Sequence, residues 1–316
     1  MTLAAPVPWA AAEALGVSAP ELAAFQDEPL QMRSGTVGKT GFLHLGFERR
    51  GHRTILAQLE RRAPFMAQRA LYCDQAMPDL AWVFLITTTG CLLQGDRLAL
   101  DISLASGARA HVTTQSATKV HAMDANYAAQ AQTVTLLDDA YLEFLPDPVI
   151  PHRNARFISD TRISIAPTST LLLSEIIQPG RKHHHPSECF GTTVMSLSTS
   201  AARPDGRALF TEKLLIDPQR YRMRQTGVMD SFDVFGNVIL CTPKGSADRI
   251  HARVDAEVDP LRGLAFGACR LPNDAGLIFK VLGRETAQVK AKVRDFWSIV
   301  RKEVIGADLP PPFFWR

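Results

Sequence analysis

From residue 40 onward, apolar and polar positions alternate with a period of two, and glycine, proline and aspartate interrupt the alternation at short intervals. The clearest run sets Leu98, Leu100, Ile102 and Leu104 against Ala99, Asp101 and Ser103, the period of a half-buried strand. The same pattern predicts strands over 41–48, 52–60, 81–88, 96–104, 108–114, 128–137, 140–145, 154–165, 169–176, 190–198, 208–216 and 235–241. Short polar turns between them predict an all-β dominated fold of many short, largely antiparallel strands. One late segment departs from this pattern. Val289, Val293, Phe296, Trp297 and Val300 form a helical stripe, with Lys290, Lys292, Arg294, Arg301 and Lys302 largely off it. That is an amphipathic helix, which caps the β body with its apolar side. Beyond it, Pro310, Pro311 and Pro312 cannot continue a helix, and Phe313, Phe314 and Trp315 then ride on a stiff extended tail that folds back or docks on a partner. Residues 1–38 are alanine-rich and read as a partly ordered N-terminal appendage. With no internal repeat and no long linker, residues 39–316 read as a single β domain that includes the helix and the tail.

The pattern is most unusual where polar residues crowd between apolar strands. Thr113, Thr114, Gln115, Ser116, Thr118 and Lys119 fall in one run. So many donors and acceptors need partners, as a surface ladder or as the lining of a wet interior. Glu143 faces opposite to Leu142 and Phe144, so it requires a cationic partner or water, for which Lys119 is a candidate. Asp147 stands between Pro146 and Pro148, a place where a carboxylate caps a turn. The other eye-catching group is His183, His184 and His185, followed by Glu188 and Cys189. Neutral imidazole suits nickel, zinc and copper. Neighbouring positions on an extended chain point to opposite sides, so at most two of the three share an ion, and an exposed surface loop explains them equally well. His121 and His152 are further candidates if the fold brings them near.

Composition narrows the classes. The 316 residues are enough to bury a core without disulfide or metal staples. With 35 basic and 32 acidic residues the net charge is only +3, and no concentrated basic block points to nucleic acid. Arg49, Arg50, Arg53, Arg61 and Arg62 are spread over a predicted strand pair and read as a solvated face. The five cysteines are odd in number and far apart, which fits reduced thiols in the cytosol. There is no readable secretory leader and no apolar run of membrane-spanning length, so the expectation is a cytoplasmic protein with no membrane partner. Nucleotide-hydrolysing and nucleophile-elbow motifs are absent, and Gly38-Lys39-Thr40 lacks the earlier glycine of a phosphate loop.

The succession Gly95-Asp96, Gly107-Ala108, Thr113 to Lys119, Leu142-Glu143-Phe144 and Pro146-Asp147-Pro148 resembles the urease accessory protein family called UreD or UreH. Gly41 to Leu45, Ala63-Pro64-Phe65 and Gly180-Arg181 with Glu188 and Phe190 extend the resemblance from about Lys39 to the C-terminus. Two departures stand out: Cys91 to Gln94 precede Gly95 where the family has more glycine, and the 182–187 insertion is longer and richer in histidine. The resemblance implies an elongated β-superhelical body with helices at its end. It also implies a non-catalytic maturation factor that binds apo-urease subunits and a helical accessory protein, UreF, and through it the GTPase UreG. No cofactor is tightly bound on this reading; nickel is a transient cargo. A cation conduit needs weak, exchangeable oxygen and imidazole ligands, and Asp96, Glu143, Asp147, His183, His184, His185 and Glu188 are the candidates for it, with the Thr113 to Lys119 run as polar lining. Two rival readings stay open. One is a metal-dependent hydrolase built on His183 to His185 and Glu188; the other is a plain β scaffold whose polar motifs are structural.

Overall fold

The structure, a computed structural model, describes residues 10–27 and 38–312. Eighteen strands dominate it among those residues. The first group is β1 (Thr40–Arg50), β2 (Arg53–Arg62), β3 (Phe65–Ala67), β4 (Ala81–Thr87), β5 (Arg97–Leu104) and β6 (Arg109–Thr114). Next come β7 (Thr118–Val120), β8 (Ala128–Leu136), β9 (Tyr141–Phe144), β10 (Val149–Pro151), β11 (Arg156–Ile165) and β12 (Thr170–Ile177). The last are β13 (Val194–Ala202), β14 (Ala208–Ile216), β15 (Val234–Cys241), β16 (Glu257–Asp259), β17 (Leu264–Arg270) and β18 (Gly276–Gly283). Three α-helices accompany them: α1 (Ala10–Ala14), α2 (Lys244–His251) and α3 (Thr286–Val304).

Two sheets stack face to face. The first runs β14-β13-β11-β8-β5-β1-β2, and the second β16-β17-β18-β15-β12-β9-β6-β4-β3, with β10 and β7 branching from β12. Between β4 and β13 the chain passes from one sheet to the other at nearly every step. Strands two steps apart therefore return side by side in the same direction, and β1/β5, β5/β8, β8/β11, β11/β13, β4/β6, β6/β9 and β9/β12 are all parallel. The largely antiparallel arrangement expected from the short turns is thus corrected to mixed sheets. Those turns are corners between sheets and not hairpins, and period-two alternation is identical for either direction. Antiparallel pairing is confined to the sheet ends: β1 with β2 and β13 with β14 in the first sheet, and β3 with β4 and the succession β12, β15, β18, β17 and β16 in the second.

The core lies between the sheets. Leu43, Leu45, Leu100 and Ile102 from the first face Leu142, Phe144, Leu171 and Leu173 from the second. On the outer side of the second sheet, Val289, Val293, Phe296, Trp297 and Val300 of α3 bury against Trp82, Leu172, Val238 and Phe279, as the helical stripe predicted. A capping box between Glu285 and Gln288 opens that helix. On the outer side of the first sheet, Leu22 packs with Tyr127, Ala129, Ile158 and Val194, and Ala12 packs with Phe42 and Ala99. The part of the N-terminal appendage that is described therefore docks on the β body. The tail aromatics Phe313, Phe314 and Trp315 lie outside the described residues. Among those residues, no helix is long and apolar enough to cross a membrane.

Candidate functional site

Strand alternation puts several polar residues in the phase that points between the sheets. In β8, Gln130 and Gln132 share the phase of Val134 and Leu136; in β11, Ser159 and Thr161 share that of Ile163 and Ile165. The parallel register then lines up Gln132, Thr161, Thr199 and Glu212 as one row across the first sheet. Gln132 donates to Thr161 Oγ1 at 2.9 Å. Opposite, Glu175, Asn237 and Lys280 form a row across the second sheet. The rows meet where Asn237 Nδ2 donates to Glu212 Oε2 at 2.8 Å and Lys280 pairs with Glu212 Oε1. A cavity of about 80 Å³ sits in this seam, walled by Thr114, Thr118, Gln130, Gln132, Ser159 and Glu175 among others. That volume has room for several water molecules, and its walls offer the polar partners that water needs. Burial, and then the nearby Glu212 carboxylate, push Glu175 up to about 7, against the Asn237 hydrogen bond.

A second polar group is dry. Register places Trp82, His111, Glu143 and Leu172 side by side on the outer face of the second sheet, under α3. The Glu143 carboxylate is fully buried. It accepts from His111 Nδ1 at 2.8 Å, the Tyr141 hydroxyl at 2.7 Å, Trp297 Nε1 at 2.7 Å, and Arg301 Nε and Nη2 at 2.8 Å each. Arg301 also pairs with buried Asp74, which in turn accepts from the backbone of Ala76 and Met77. The His111 ring stacks on Trp82 at 3.9 Å between centroids and on Trp297 at 5.3 Å. Burial alone would raise the Glu143 pKa, but the hydrogen bonds from His111 and Arg301 and the guanidinium charge hold it down at about 2. Its partner is therefore Arg301 and not the exposed Lys119, and its surroundings are a packed helix–sheet interface and not a wet interior. Alternation did place Glu143 opposite Leu142 and Phe144, as observed.

The other predicted residues separate into distinct places. Asp96 is buried and tied to the backbone, accepting from Lys39 N at 3.0 Å and Leu93 N at 2.9 Å; burial raises its pKa and those N–H groups pull against it. Asp147 pairs with Lys290 of α3 at 3.0 Å, while its own N–H donates to Thr114 Oγ1. Thr113 Oγ1 donates to Leu145 O at 2.7 Å. Thr114 and Thr118 reach the seam, whereas Gln115, Ser116 and Lys119 are exposed at the connecting turn. Glu188 is clamped by Arg181 at 2.6 Å and by Arg153 N at 3.1 Å, and Arg181 is the main reason its pKa falls. Gly180 is required at its position: at φ +130° a Cβ would lie 2.1 Å from Glu188 O. His183, His184 and His185 face solvent; His185 Nδ1 accepts from Ser187 N and caps a short 3₁₀ turn, and His183 lies 3.7 Å from Glu285. Among the described residues, no three His, Cys, Asp or Glu side chains converge as a metal-holding group.

The chain was also compared with known proteins. The family model described as "UreD urease accessory protein" matches residues 39–316. A "Urease accessory protein UreD" of Yersinia pseudotuberculosis serotype O:1b (strain IP 31758) is 56% identical over 305 residues, covering 96% of this chain and 95% of the relative. The "Urease accessory protein UreD" of Photorhabdus laumondii is 57% identical over 302 residues, covering 96% and 94%. The "Urease accessory protein UreD 2" of Brucella suis biovar 1 is 51% identical over 295 residues, covering 93% and 98%. A match that runs through both sheets, the polar seam and the α3 interface places the whole β body in one family, and the chain belongs to the UreD urease accessory protein family.

Proposed function

We propose that this protein is a non-catalytic urease maturation factor, a scaffold that joins apo-urease to the accessory proteins UreF and UreG, and that nickel on its way to the urease active site passes along the polar seam between the two sheets. The names of the relatives support the urease role. The observation that carries the route is Glu175 facing a cavity whose polar lining is the amides and hydroxyls of Thr114, Thr118, Gln130, Gln132 and Ser159 together with Asp147, set among apolar side chains such as Phe144, Phe157 and Leu173. Such a lining suits transit, because neutral oxygen ligands replace hydration water without holding the ion, and a carboxylate with a pKa of about 7 releases it to a proton. Of the residues named from the sequence, Thr114, Thr118 and Asp147 line this route directly. Asp96, Glu143 and Glu188 support it through the frame, since their oxygens are engaged by backbone N–H groups or guanidinium. The exposed imidazoles of His183, His184 and His185 add weak contacts for nickel at the surface. A hydrolase built on those histidines and Glu188 has no support, because Glu188 is already committed to Arg181.

Ser159→Leu tests the route by filling the cavity with apolar volume. Urease activation should fall while the complex with UreF and apo-urease still assembles, and added nickel should not restore it. Normal activation with a filled cavity sinks the route.

A further inference from the structure

The parallel pairing of β7 with β10 sets Val149 beside Thr118, Ile150 beside Lys119 and Pro151 beside Val120. Continued by one residue, the same register puts His152 beside His121. His152 N donates to Val120 O at 2.9 Å, so the strands are still joined there. The two imidazole centroids lie 5.4 Å apart, with the rings tilted by 52°. Two rings bound side by side to one ion, at a metal–nitrogen distance of about 2.1 Å, have centroids roughly 5 Å apart. The pair therefore needs only a small ring adjustment to share a cation.

The chemistry of each ring agrees with the spacing. His121 Nδ1 lies 3.0 Å from Ala122 O. A carbonyl only accepts, so Nδ1 carries the proton, and in the neutral ring the lone pair is left on Nε2, the arrangement that backbone carbonyls impose on metal-binding histidines. His152 is 9% exposed. Burial, then Arg181 and His121, lower its pKa; Lys119 acts the same way and Glu188 opposes. These influences favour the neutral imidazole, the form that binds a metal. Glu188 is held by Arg181 and Arg153 N, and among the described residues no third side chain completes a cage. The rest of the coordination shell falls to water, and the neighbouring cations weaken the site further, so an ion held here exchanges.

We propose that His121 and His152 form a two-imidazole dock for a borderline divalent cation of the nickel class, placed at the Thr118–Val149 end of the inter-sheet seam. Thr118 and Val149 line the cavity and stand three residues before His121 and His152, which lie just past the ends of β7 and β10, roughly 10 Å along the chain. The dock hands its ion to the seam, which rests on the route proposed above.

Equilibrium dialysis of the full-length chain against nickel(II) chloride tests the dock. His121→Ala, His152→Ala and the shape-keeping His152→Gln should each weaken uptake at this site at least tenfold. The double variant should be little worse than either single one, because one imidazole alone does not hold the ion. His121 is exposed, so His121→Ala leaves the fold intact and keeps the test decisive if a change at His152 unfolds the chain. Replacing His183, His184 and His185 together should leave this uptake in place. Parent-like uptake by His121→Ala, or loss of this uptake only in the triple-histidine variant, overturns the dock. Urease activation at limiting nickel should slow in His121→Ala, and normal activation alongside lost uptake would overturn the hand-off. Neither result touches the seam, which Ser159→Leu tests with the dock unaltered.

Discussion

Glu143→Gln removes one charge from a site where five donors converge on a single carboxylate. The amide keeps the shape but turns its own N–H₂ toward donors, and leaves Arg301 with Asp74 as its only carboxylate partner. The expected cost follows from linkage. Glu143 sits at about 2 when folded against an ordinary value of 4.5, and at about 1.4 kcal/mol per pH unit this is roughly 3 kcal/mol. Loss of one partner of a buried ion pair falls in the same range, ~3–5 kcal/mol. Because the folded pKa is depressed, this stabilisation is fully present above about pH 4.5 and is lost as pH falls toward 2. At pH 7, Glu143→Gln should therefore lower the melting temperature by roughly 4–8 °C. It should also remove Glu143's share of the parent's loss of stability between about pH 4.5 and pH 2, leaving that of other depressed carboxylates such as Glu188. Replacing Glu143 and Arg301 together by leucine should not recover the parent's stability, since Asp74 is then buried without its cationic partner. The assay is thermal or urea unfolding across pH, with urease activation measured in parallel. An unchanged melting temperature with impaired activation at limiting nickel would refute the reasoning and put Glu143 on the metal route.

Other substitutions probe the frame more simply. Gly180→Ala should destabilise by roughly 3 kcal/mol, read from the urea midpoint, because a Cβ there meets the Glu188 carbonyl at a left-handed φ; a neutral result would mean that the 180–191 loop is not packed as described. Lys290→Ala breaks an exposed pair with Asp147 and should cost under about 1 kcal/mol, so a melting-temperature loss as large as that of Glu143→Gln would contradict the rule that burial sets the strength of these ion pairs. Glu175→Gln should gain stability above pH 7, because a folded pKa raised to about 7 means that the charged form costs stability, increasingly so as pH climbs from about 4.5 to 7. A flat comparison with the parent at pH 8 would mean that Glu175 is well solvated.

Much of this was readable from alternation. The strand positions, the orientation of Glu143 and the apolar stripe of α3 follow from periods of 2 and 3.6. What was lost came from information that periodicity does not hold. Corner turns between stacked sheets look like hairpins, so parallel pairing was hidden. Arg301 was set off the α3 stripe because it is charged, yet it follows Val293 and Trp297 at four-residue spacing and is fully buried; an arginine on that stripe was the visible sign that a carboxylate waits beneath. Glu175 went unnoticed although it shares the phase of Leu171, Leu173 and Ile177 in β12, where a charge in the core register is itself a signal. The strands after residue 256 escaped because Arg262, Asp274 and short glycine turns break the pattern around them. Partner choice across 158 residues, as between Glu143 and Arg301, depends on tertiary packing alone.

The most direct test of the nickel route is urease activity against nickel concentration with Glu175→Gln in place of the parent, complex assembly being checked in the same preparations. Glu175→Gln keeps the shape of the seam and removes its interior charge. The expected result is normal assembly, slowed activation at limiting nickel and partial recovery as nickel rises. Activation indistinguishable from the parent at every nickel concentration would contradict passage along the seam.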